Sequence, residues 1–297
     1  MFGNYIWPLI VLSLLATINA LLQGSPPGLG IEPFSAINTT LTPESYNVKV
    51  LQTSTKIMIS TGYPGNSATK KTVVIDLEDS NVICEVLDDF PMEIYVAVGA
   101  NLASTPIICG GFFYNGIGHS SVNCFKYTKG GWQNFATLIE RRNAAAGIVY
   151  KDALHIFGGY DQDANNNLQS SEIVKKDGSS TEGPQLPTPV YAHAIASINS
   201  TVSIITGGWT NTYSDQTWYF NHESQEFQQG PNLLEARSDH SSGSVTDQET
   251  KEKMAIIAGG FGIDRNLDST EMLWNGEWKT GKTHTESCIC LFLNTFS

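Results

Sequence analysis

Six histidines and five cysteines are the residues in this chain that could carry acid–base, metal or redox chemistry. The histidines are His119, His155, His193, His222, His240 and His284. They are scattered, and no His-Glu-x-x-His or Cys-x-x-Cys spacing gathers ligands for a metal. No Gly-x-Ser-x-Gly turn presents a nucleophile. Asp161, Asp163 and Asn165 in the run DQDANNN alternate oxygen ligands as calcium loops do. No glycine follows at the sharp turn and no Glu closes the loop, so a solvated loop tip is expected. Cys109 and Cys124 lie 15 apart, and a disulfide closing such a loop adds about 3 kcal/mol. Cys288 and Cys290 are too close to bridge each other without strain, and with Cys84 they leave an odd thiol. The sequence therefore predicts no catalytic residue, no metal site and no cofactor.

The elements that hold these residues follow from a repeat. Four Gly-Gly doublets each end an apolar run: Gly110-Gly111, Gly158-Gly159, Gly207-Gly208 and Gly259-Gly260. A decayed copy is Thr61-Gly62. The second glycines, Gly62, Gly111, Gly159, Gly208 and Gly260, stand 49, 48, 49 and 52 residues apart. Each doublet precedes a polar loop, then a short apolar segment, then an aromatic at the slot of Trp132, Phe227 and Trp278. Cys84 and Ser179 or Ser180 stand in that slot in the first and third units, where the wedge should fill less well. Next comes a small-residue strand, as in Arg142-Asn143-Ala144-Ala145, Pro189 to His193 and Arg237 to His240. A unit of about 50 residues with four short strands is one propeller blade. Glycine lets backbones crowd, so the strand before each doublet is expected near the axis. His193 and His240 share a repeat position, occupied by Ala144 in the third unit, and are read as structural. Glu140-Arg141-Arg142 is read as an inter-blade salt bridge and surface face; the alternative is an anchor for an acidic ligand.

These doublets and their even spacing resemble the kelch-repeat β-propeller family over about Tyr46 to Lys279. The expected fold is all-β, with five four-stranded blades at 46–89, 90–138, 139–186, 187–234 and 235–281. The resemblance implies an incomplete six-bladed ring, since a sixth doublet would fall beyond Ser297. A closed five-bladed ring and an open arc completed by a second copy are the competing arrangements. Residues 282–297 form a C-terminal remnant able to start a sixth blade. The family also includes copper oxidases similar to galactose oxidase, but their crosslinked Cys-Tyr and His ligand set has no matching positions here.

Residues 1–20 read as a signal peptide, with an uncharged apolar run from Ile6 to Ala20, and 21–45 as a linker. Asn38 and Asn199 open glycosylation triplets. No later apolar run is long enough to span a bilayer. A net charge of −12 repels phosphate backbones, which excludes nucleic acid as a natural partner. With 41% apolar residues the chain can build a core. The expected function is a secreted, non-enzymatic scaffold for protein or glycan recognition. Binding is expected at Phe112, Tyr160 and Trp209, each immediately after a doublet, within the wider set Phe113, Tyr114, Tyr213 and Phe261. Loops after the doublets and links between blades are expected on opposite faces. The alternatives are a propeller-scaffold oxidoreductase and an intracellular adaptor for ubiquitin ligation or actin.

Overall fold

The computed structural model describes residues 45–46, 49–52, 56–64, 68–76, 84–246, 253–281 and 292–293. The leader 1–20, Asn38, almost all of the linker, Cys288, Cys290 and most of the C-terminal remnant lie outside the described residues, as does the Cys84 side chain. All helix and strand structure among the described residues is β. Twenty strands form five antiparallel meanders of four. Sheet one is β1 (Lys49–Gln52), β2 (Lys56–Ser60), β3 (Thr72–Asp76) and β4 (Cys84–Leu87). Sheet two is β5 (Val98–Leu102), β6 (Thr105–Cys109), β7 (Asn123–Thr128) and β8 (Gly131–Thr137). Sheet three is β9 (Ala146–Tyr150), β10 (Ala153–Phe157), β11 (Ser171–Lys175) and β12 (Ser180–Glu182). Sheet four is β13 (Ala194–Ser197), β14 (Val202–Thr206), β15 (Thr217–Asn221) and β16 (Glu226–Gln229). Sheet five is β17 (Ser241–Thr246), β18 (Lys253–Ala258), β19 (Thr270–Trp274) and β20 (Glu277–Thr280). A further strand, β21 (Phe292–Leu293), pairs parallel to β1 and also neighbours β17.

The first strands β1, β5, β9, β13 and β17 neighbour one another in chain order and surround the axis of a propeller-like body. They crowd, and small residues such as Gly99, Ala100, Gly147 and Ala196 recur in them. Gly147 in β9 faces Val98 in β5, where a Cβ would stand 2.4 Å from Cγ1. Ser242 and Ser244 in β17 donate to the Ile195 and Ser197 carbonyls of the neighbouring first strand β13, at 2.7 and 2.6 Å. The strand before each doublet is therefore second from the axis, not first. The expected small-residue strand also starts later. Ala144, Ala192 and Asp239 have φ of 48°, 53° and 52°, and a left-handed residue interrupts the ladder just before β9, β13 and β17.

The doublets at 110–111, 158–159 and 207–208 are each wedged between two links. At Gly158, φ is 55° and an added Cβ would lie 2.4 Å from the Val190 carbonyl, in the link to sheet four. At Gly159 it would lie 2.7 Å from the Asn143 carbonyl, in the link to sheet three. The Gly159 amide donates to Val190, as Gly111 does to Arg142 and Gly208 to Arg237, so the doublet stitches neighbouring sheets together.

The rim is tied by the aromatic slot. Trp132 in β8 donates its indole N–H to Thr72 of sheet one, and Trp278 in β20 donates to the Pro231 carbonyl beyond sheet four. Phe227 in β16 meets Phe157 of sheet three. In sheet three the slot holds Ser180, whose buried hydroxyl has no partner. The Cys109–Cys124 disulfide forms between directly opposed residues of β6 and β7. Among the described residues, no helix is long and apolar enough to cross a membrane.

Candidate functional site

An up-and-down meander of four strands brings the ends of its second and fourth strands to the same side. The loops after the doublets and the links between sheets therefore share one face, correcting the expectation of opposite faces. Short antiparallel bridges join them: Tyr95 with Phe112, Asn143 with Tyr160, Tyr191 with Trp209, and Ser238 with Phe261. The three residues expected to bind thus occupy one repeated position on one face. All three are half-buried. Phe112 lies 5.1 Å from Tyr95, Tyr160 lies 5.3 Å from Tyr191, and Trp209 lies 4.9 Å edge-on from Tyr213. Tyr114, Ile117 and Ile263 are exposed on the same loops, at 71, 65 and 72%.

Nearer the axis runs a belt of backbone hydrogen bonds. Ala144 donates to Val96, Ala192 to Ala144, and Asp239 to Ala192, at 2.8, 2.8 and 2.7 Å. Three belt residues are apolar and form a small cluster with Tyr95, Phe112 and Tyr191. The fourth is Asp239, whose carboxylate accepts the Ser238 hydroxyl at 2.9 Å. Burial raises the Asp239 pKa. The Tyr191 phenol is also raised, first by burial and then by Asp239, Tyr160 and Tyr213; Asp239 is joined through its amide to the Ala192 carbonyl, next to Tyr191. Tyr95, Tyr191 and Asp239 were not singled out in the sequence. Their shared repeat position, three and two residues before the small residues that open each first strand, was the available signal.

The other candidate groups are structural. Arg142 is fully buried and not part of a surface face. Its guanidinium donates to Glu172 at 2.7 Å and to the Gly158 carbonyl at 2.6 Å. Glu172 also accepts the Ile139 and Glu140 amides. Arg237 and Glu271 repeat the arrangement in sheet five. His193 and His240 are fully buried at one position, which Ala145 rather than Ala144 occupies in sheet three, one residue after the left-handed turn. Burial pushes His193 down to about 3 and His240 well below its usual value. The His240 ring meets Thr206 at 2.8 Å.

The DQDANNN loop has the expected exposed tip, residues 163–166, standing on an ordered base. Asp161 is buried and accepts the Asp163 and Ala164 amides, and Asn165 accepts the Tyr160 hydroxyl. Asp163 meets His119 at 2.6 Å and accepts the Ser120 amide; the His119 contact holds its carboxyl below the usual range. On the opposite face, two histidines 67 residues apart meet. His155 and His222 approach at 3.4 Å, with Tyr150 stacked on His222, and burial lowers both to about 4. No group of three or more metal-ligating side chains occurs among the described residues. Asn199 sits on the exposed hairpin between β13 and β14, its carbonyl accepting the Thr201 and Val202 amides.

No family model and no curated protein matches the chain. Solved structures do, 377 chains in all, a breadth that fixes fold rather than function. One is the structure of YjhT, a β-propeller, with a TM-score of 0.72 at 10% identity over 82% of this chain and 85% of that one. The chain is an all-β protein of multiple four-stranded antiparallel sheets, similar in fold to a β-propeller.

Proposed function

We propose that the chain is a secreted, non-enzymatic kelch-type propeller of five encoded blades, a protein or glycan recognition scaffold that binds through the face carrying the doublets. The observation that carries this reading is the convergence of Phe112, Tyr160 and Trp209 with Tyr95, Tyr191 and Tyr213 on one face, all half-buried. Large aromatics held rigid and partly exposed supply most of the energy at recognition surfaces. Blade number rests on the five meanders and their doublets. The pairing of β21 with β1 and its contact with β17 support a ring with a partial sixth position. The secretory assignment is supported by the Cys109–Cys124 bridge, since disulfides persist in oxidising compartments.

One observation favours an enzymatic reading. Asp163 orients His119 as a carboxylate orients a general base. The gathering of six half-buried aromatics on the linked face supports recognition over this reading.

Trp209→Ala tests the site. Binding of any ligand found by glycan or protein screening should weaken by about 2 kcal/mol. The denaturation midpoint of the same variant separates recognition from folding. Affinity lost only in proportion to stability contradicts the assignment.

A further inference from the structure

The belt position explains three of its occupants and not the fourth. Val96, Ala144 and Ala192 hold the same left-handed backbone as Asp239, so the conformation does not call for a carboxylate. Nor does packing, because the equivalents are apolar and buried. The adjacent cation is committed elsewhere: Arg237 is fully buried and spent on Glu271 and the Gly259 carbonyl. No Lys, Arg or His forms an ion pair with Asp239 among the described residues. Among the described residues, its carboxylate accepts a side-chain hydrogen bond from the neutral Ser238 hydroxyl. A half-buried carboxylate without a counter-charge is costly, and aromatic rings beside it attract cations.

Resting on the recognition reading above, we infer that Asp239 with Tyr160, Tyr191, Tyr213 and Trp209 is a receptor for a primary ammonium group, the side chain of a lysine on a protein partner. The ammonium supplies the missing charge and donors for the free carboxylate oxygen and the phenols. The rings flank its alkyl stem. A protein source is favoured because a chain of net charge −12 attracts basic partners at long range. Exposed Tyr114, Ile117 and Ile263 on the same face offer contacts to residues around the lysine.

The test is calorimetry of the full chain with an N-acetylated, C-amidated Gly-Leu-Lys-Leu-Gly peptide, whose only ammonium is the lysine's, and its Nε-acetyl-lysine form. The free-amine peptide should bind about tenfold more tightly. Asp239→Asn should erase that difference, and so should Asp239→Ala, which copies the residue at Ala144 and Ala192 and so suits the fold. Equal binding of the two peptides, no binding of either, or discrimination that survives Asp239→Ala overturns the inference. Glucosamine displacing the peptide at equal concentration overturns the lysine assignment in favour of an amino sugar. If Trp209→Ala abolishes binding while Asp239→Ala changes nothing, the recognition face stands and the ammonium receptor falls.

Discussion

At the scale of single residues, the buried Arg142–Glu172 and Arg237–Glu271 pairs decide whether a sheet is joined by charge or by apolar contact. The equivalent positions alternate: Ile94 with Phe125, Arg142 with Glu172, Val190 with Trp218, Arg237 with Glu271, each second partner lying opposite the isoleucine two before a doublet. Charge appears on both members or on neither, because a lone buried ion is costly. Arg142→Val should therefore destabilise by about 3–5 kcal/mol, leaving Glu172 uncompensated. Arg142→Val with Glu172→Trp, the pair that sheet four carries, should recover most of the loss in chemical denaturation. A double variant no better than the single one contradicts the compensation argument. This pairing was not legible in the sequence, where Glu140-Arg141-Arg142 reads as a charged surface run. The partner Glu172 is 30 residues away and becomes visible only once strand register is known.

At the scale of elements, the doublets were legible and their neighbours were not. Gly158 and Gly159 recur because a side chain there meets a carbonyl of a neighbouring link, which no other residue type avoids. Space and backbone conformation can be separated by three substitutions to Ala. Gly243 has ordinary φ and open space around it, so its replacement should be nearly neutral. Gly276 has φ of 79° and nothing within 4 Å, so it should cost about 1 kcal/mol from conformation alone. Gly158, with both positive φ and the Val190 carbonyl at 2.4 Å, should cost the most. Thermal midpoints that rank the three otherwise contradict the wedge. The expectation that loops and links lie on opposite faces failed because it did not count strand direction through the meander. Likewise, His155 and His222 meet across sheets three and four, a contact that no local spacing announces.

At the scale of the whole molecule, the units share one division of labour. First strands surround the axis, doublets and links join sheets on one face, and in sheets two, four and five fourth-strand aromatics close the rim. Recognition is assigned to the linked face because rigid aromatics and the Asp239 carboxylate gather there, while the rim tryptophans are consumed by structure. That assignment is tested most directly by nuclear magnetic resonance of isotope-labelled tryptophan indoles in the full chain, titrated with the lysine-centred peptide. The Trp209 signal should shift, while those of Trp132 and Trp278, bonded to Thr72 and Pro231, stay in place. A Trp209 signal that does not move while a rim indole does would contradict it.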